Sequence, residues 1–255
     1  MLDLVTWTCT ALLGLSFGSF GTVLATRVPA GESIADGRSA CRTCGAQLRV
    51  RDNIPLLSYL LLRGHCRACG ARISAVYPLL EASTAVLFCT AWLIGGATPH
   101  GAALAGIAVL GPPLFVIDLR EQRLPNILVG ATAAWLVGCA IAQGLVDQSY
   151  VTPLRAFACG IAASSALLAL AMLTGGGMGM GDVKLAGTLG LATGLVAWST
   201  AFTGLLLAFL IGGVAAVILM AIGRAPRGTA IAFGPMLLAG AFVSVLLAAL
   251  PVGLP

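Results

Sequence analysis

The chain has 255 residues, of which 59% are apolar and 9% charged, with a formal net charge of +5 and a mean hydropathy of +1.01. Soluble domains carry roughly 25% charged residues, so a water-soluble globular fold is excluded and a membrane protein is indicated. The cationic side chains nowhere form a dense cluster, so no nucleic-acid partner is expected.

A membrane-spanning helix needs about 20 mostly apolar residues. Runs of that kind fall at 4–26, 77–96, 101–117, 126–146, 154–174, 185–199, 200–222 and 230–250. The expected fold class is all-α: a polytopic membrane protein with about eight transmembrane helices, a cysteine-containing loop and the lipid bilayer as its surroundings. The 184–222 stretch reads either as two spans or as one long segment with a re-entrant piece. Met1-Leu2-Asp3 lacks the basic leader of a secretory signal, so the first span is expected to be retained.

Orientation follows from the arginines. Residues 27–76 hold eight of the fourteen basic side chains, and alternate threading of eight spans places Arg120, Arg123, Lys184, Arg224 and Arg227 on that same side, leaving Arg155 opposite. By the positive-inside rule this side is the cytoplasm and the N-terminus lies outside.

The loop after the first span carries two short knuckles, Cys41-Arg42-Thr43-Cys44-Gly45 and Cys66-Arg67-Ala68-Cys69-Gly70, separated by 21 residues. That spacing matches four-cysteine zinc sites, in which each knuckle offers two thiolates from one tight turn. A structural zinc held by Cys41, Cys44, Cys66 and Cys69 is expected. Disulfides are the competing reading, and a reducing cytoplasm disfavours them. Cys9, Cys89, Cys139 and Cys159 lie in spans and read as small apolar residues.

Two acids sit at the ends of apolar runs: Asp118, closing the third span, and Asp182, opening the sixth within Gly179-Met180-Gly181-Asp182. Charge there is costly and marks a functional group or an internal pair. Both acids fall at the cytoplasmic end of their helices and are expected to be neighbours. Two carboxylates a few Å apart do not both ionise readily. The ionised one activates a water and the protonated one donates to a scissile carbonyl, so peptide hydrolysis needs no serine or cysteine. Each acid alone also reads as an interface charge or a partner of a helix dipole. Gly177, Gly179 and Gly181 leave room for an extended peptide strand and form a candidate substrate-binding loop; small residues also serve helix packing. Glu81, early in the second span, is a candidate supporting acid.

Gly14 to Pro29, Arg51 to Gly70, Ile73 to Glu81, Asp118 to Asn126, Gly177 to Lys184 and Phe233-Gly234-Pro235, in that order, resemble the bacterial prepilin peptidases, also called type IV leader peptidases. The resemblance implies a GxGD-type membrane aspartyl endopeptidase with Asp118 and Asp182 as its proteolytic pair. It further implies prepilin or pseudopilin precursors of pilus or secretion systems as substrates, cut after a glycine at the cytoplasmic face of the bacterial inner membrane. S-adenosylmethionine is implied as the methyl donor for N-methylating the new terminus. In that family an Asn usually stands where this chain has Thr22, so methyl transfer is expected to be reduced or absent if that position takes part. The expected organisation is a first transmembrane helix at 1–26, a cytoplasmic zinc-knuckle loop at 27–76 and a membrane-embedded peptidase domain at 77–255. Two other function classes remain open: a proton-coupled transporter with Asp118 and Asp182 as relay groups, and an assembly module whose zinc loop binds a partner.

Overall fold

The computed structural model describes residues 2–35, 37–174, 178–223 and 232–250. Among these, the ordered elements are helices: α1 (Leu2–Ala30), a 3-10 turn (Val50–Asp52), α2 (Leu57–Leu61), α3 (Val76–Gly95), α4 (Pro99–Glu121), α5 (Asn126–Val146), α6 (Val151–Leu173), α7 (Met180–Val196), α8 (Trp198–Ala221) and α9 (Gly234–Ala249). The helices α1, α3, α4, α5, α6 and α8 are long and apolar enough to cross a bilayer, whereas α7 and α9 have 17 and 16 residues. The chain is thus a multi-pass all-helical membrane protein. The eight expected runs reappear as helices within a few residues, six of them long and apolar enough to span, and the open question at 184–222 resolves into two helices. The chain breaks at Ala197, whose backbone is extended (φ −161°, ψ 163°).

The chain divides into two compact units, residues 1–93 with 108–113, and residues 94–107 with 114–255. In the first, α1 lies against α3 through Gly14 and Gly18, one helical turn apart. A Cβ at Gly14 would stand 2.7 Å from the Ala85 Cα, and one at Gly18 would stand 2.6 Å from the Glu81 Cα. Such small residues let membrane helices approach backbone to backbone where no hydrophobic drive separates protein from lipid. Phe17 and Phe88 stack across the same seam at 5.6 Å.

In the second unit α7 is the central helix. Nearly every residue from Leu185 to Leu195 is buried, as expected of a helix that is apolar on all sides. Its Gly187, Gly190 and Gly194 face Ala156, Cys159, Gly160 and Ser164 of α6 at near-contact separations. Leu136, Cys139 and Ala140 of α5 close the core with Ala103, Ala156, Leu191, Ala192 and Leu195. Because protein surrounds α7, its modest length need not match the hydrocarbon thickness. Its last carbonyls are capped by Arg155 of α6, which donates to Gly194 O and Leu195 O, both at 2.7 Å. Arg155, the exception to the charge asymmetry, is therefore a helix C-cap.

Candidate active site

At one end of the second unit the C-terminus of α4 meets the N-termini of α5, α7 and α9. Asp118 sits in the last turn of α4 and is 4% exposed. Its Oδ2 accepts a hydrogen bond from the Gly234 backbone N–H at 2.9 Å. That N–H opens α9 and has no acceptor within its own helix, so Asp118 caps a helix 116 residues away. Pro235 next to it suits the start of a helix, where a missing N–H costs nothing.

Asp182 lies in the first turn of α7, after the N-cap Gly179. Its carboxylate takes a backbone hydrogen bond from Gly179 and interacts electrostatically with Asp118. Its Oδ1 is buried and has no hydrogen-bond partner among the described residues. Leu124 fills the space between the starts of α7 and α9: an added Cβ would meet its Cβ at 3.0 Å from Gly181 and its Cδ1 at 3.4 Å from Gly234. Lys184 Nζ donates to Asn126 Oδ1 at 2.8 Å, pinning the start of α7 to the start of α5. Backbone donors at the starts of two helices thus meet the two acids, Gly234 N–H of α9 on Asp118 and Gly179 before α7 on Asp182.

The site is chemically a carboxylate pair with one committed and one uncommitted oxygen. Asp118 is oriented by a backbone donor, and Asp182 presents an oxygen that a water or a substrate group would satisfy. Of the sequence-derived residues, Asp118, Asp182, Gly179 and Gly181 are brought together. Gly177 lies outside the described residues. Glu81 is engaged in the first unit, where its Oε2 accepts from Leu56 N–H at 2.8 Å and Ser19 supplies a side-chain hydrogen bond. Thr22 is buried in α1 and turns its hydroxyl back onto Ser19 O at 2.7 Å. Sequence reasoning assigned no role to Leu124, Asn126 or Gly234. The Leu124-Pro125-Asn126 and Gly234-Pro235 signatures of helix starts were the signals that point to them.

The cysteine loop also forms as a site. The four sulfurs of Cys41, Cys44, Cys66 and Cys69 lie within 4.8 Å of one another, and Cys41 Sγ and Cys69 Sγ are 3.9 Å apart. A tetrahedral zinc with sulfur bonds of about 2.3 Å requires sulfur separations of about 3.8 Å, so the donor set fits the metal. The knuckles are built alike: Gly45 N–H bonds Cys41 O at 2.8 Å, Gly70 N–H bonds Cys66 O at 2.9 Å, and both glycines have positive φ, at 72° and 70°. Backbone N–H groups of Cys44 and Thr43 pull the Cys41 thiol down to about 6. Although the Ala71 backbone favours its thiolate, Cys69 is pushed up to about 11 by neighbouring Cys44, by burial, and by Cys66 and Cys41. Arg67 Nε and its second guanidinium nitrogen hold Asp52 Oδ1 at 3.0 and 2.8 Å, tying the second knuckle to the 3-10 turn and keeping the Asp52 carboxyl below its usual range.

Comparison with known proteins covers both units. Residues 12–94 match the bacterial peptidase A24 N-terminal domain, and residues 102–219 match the type IV leader peptidase family. A prepilin leader peptidase/N-methyltransferase of Pseudomonas aeruginosa is 33% identical, over 93% of this chain and 89% of its own length. One of the same description from Bacillus subtilis is 30% identical over 92% of each chain. A type 4 prepilin-like proteins leader peptide-processing enzyme of Escherichia coli is 36% identical over 86% of this chain and 78% of its own. No solved structure matches the chain.

Proposed function

The chain belongs to the type IV leader peptidase family, and from that premise we propose that Asp118 and Asp182 are the pair with which it cuts. It is a membrane protease that removes leader peptides from prepilin-like precursors. The observation that carries the assignment is the buried Asp182 Oδ1, without a hydrogen-bond partner among the described residues, near an Asp118 fixed by Gly234 N–H. One carboxylate, ionised, takes a proton from water as that water attacks the scissile carbonyl carbon. The other, protonated, donates to the carbonyl oxygen, and collapse of the tetrahedral species returns a proton to the leaving amine. The backbone around Gly179 and Gly181 is the place where an extended cleavage segment lies. A transporter that uses the same acids as relays gains no support from any relative.

The site opens at the cytoplasmic face of the bacterial inner membrane, and the N-terminus lies outside. The distribution of arginine and lysine supports this orientation. The substrate is then a precursor whose basic leader stays in the cytoplasm and whose apolar stem waits in the bilayer, with cleavage after a glycine. Zinc in the four-cysteine site is structural, because four thiolates leave no open coordination position.

N-methylation of the new terminus, which the relatives' names carry, is the second activity to measure. The described residues identify no atoms that would hold S-adenosylmethionine, and the proteolytic step does not involve it. The test is one experiment: purified protein with a precursor bearing a basic leader, a glycine and an apolar stem. Asp118→Asn and Asp182→Asn should each slow cleavage by at least about 100-fold, the lower end of what positioned acid–base groups contribute. Normal rates in both variants would sink the aspartyl assignment, and mass spectrometry of the product terminus reports methylation directly.

A further inference from the structure

The loop between α1 and α3 carries an apolar surface that the proteolytic site does not use. Leu60 and Leu61 of α2 are 70% and 71% exposed, and Ile54 and Leu57 beside them are 45% and 48% exposed. The inner side of this segment is fixed by Ser58, buried, which accepts from Ile54 N–H at 3.0 Å and donates to Arg51 O at 2.9 Å. The leucines are therefore held outward.

Depth decides what they face. Leu56, which precedes α2, has an unusual positive φ of 58°, and its N–H donates to Glu81 Oε2 at 2.8 Å. Glu81 is about one and a half turns inside the spanning helix α3, roughly 7 Å beyond its start. The same carboxylate is bonded by Ser19, about three turns, or roughly 16 Å, before the end of α1. The loop is thus tethered below the level at which its flanking helices end. Exposed Arg49 and Arg51 stand before the apolar stretch and exposed Arg63 after it, a cationic border suited to anionic headgroups.

We propose that residues 54–61 form a membrane-interface element, in which Ile54, Leu57, Leu60 and Leu61 enter the boundary between headgroups and acyl chains while Arg49, Arg51 and Arg63 meet lipid phosphates. Apolar side chains rimmed by arginine are the composition of elements that lie in a membrane surface without crossing it. Glu81 is the tether that sets the depth, and its engagement with Leu56 and Ser19 gives this intramembrane acid a positioning role.

The experiment places p-benzoylphenylalanine at position 60, 61 or 47 of the full chain, in nanodiscs of phosphatidylethanolamine and phosphatidylglycerol, and reads adducts after ultraviolet irradiation by intact mass. Position 47, exposed on the first knuckle, is the reference. Lipid adducts at 60 and 61 should exceed those at 47 several-fold. Adducts no more frequent than at 47, or adducts whose mass is a second copy of the chain, would overturn the proposal. The probes replace exposed side chains, and two independent positions guard against one of them perturbing α2.

Discussion

Gly234 shows how much of the site rests on a backbone atom. Its N–H holds Asp118 Oδ2 at 2.9 Å, and an added Cβ would stand 2.7 Å from that oxygen, inside any tolerable contact. Gly234→Ala must therefore push the carboxylate aside while leaving α9 helical. Misplacement of a reacting group by about 1 Å costs on the order of 100-fold in rate, so cleavage by this variant should fall by that order with KM little changed. A KM rise at unchanged kcat would show that the glycine serves substrate binding instead. Sequence made Asp118 and Asp182 legible because an acid at the end of an apolar run is conspicuous on its own. The pairing of Asp118 with its donor was not legible: Gly234-Pro235 marks a helix start, but nothing in the sequence joins that start to an acid 116 residues away.

Among the helices, α7 depends most on what it lacks. An added Cβ at Gly190 would stand 2.8 Å from Cys159 O and 2.9 Å from Ala163 Cβ, whereas Gly130 on α5 has nothing within 4 Å. Gly190→Val should destabilise the protein by about 1–3 kcal/mol through overpacking. Gly130→Ala should stabilise it by roughly 0.5–1 kcal/mol, the ordinary cost of glycine in a helix. Thermal unfolding in detergent micelles reads both, and equal effects would show that α6 and α7 are not packed through this seam. Helix positions were legible because apolar length is a local property. The break at Ala197 was legible only as one of two readings, two spans or one long segment, since no glycine or proline marks it. The carbonyls left open at that end of α7 are taken by Arg155, from 39 and 40 residues upstream.

At the scale of the whole molecule, the carboxylate pair belongs to one compact unit and the cysteine cluster to the other. The family matches at 12–94 and 102–219 leave their gap beside that division. The cysteine tetrad was legible from spacing alone, because a four-thiolate site is assembled by two local turns. The tether through Glu81 was not, because it joins a side chain in a span to a backbone N–H in the loop. The loop has little core of its own: among its apolar side chains Val50 is 81% exposed and Leu60 70%. A segment this small and this exposed has too little core to hold a fold without help, so a metal bound by the four cysteines would add its binding free energy to folding. Purified protein should carry about one zinc per chain, and Cys66→Ser should lose it. Stripping the metal with a chelator should open residues 38–72 to trypsin at Arg38, Arg42, Arg49, Arg51, Arg63, Arg67 and Arg72, with the helices from α4 onward remaining uncut. Uniform protection of those arginines before and after chelation would mean that the tethers at Glu81 and Asp52, and not the metal, hold the loop together.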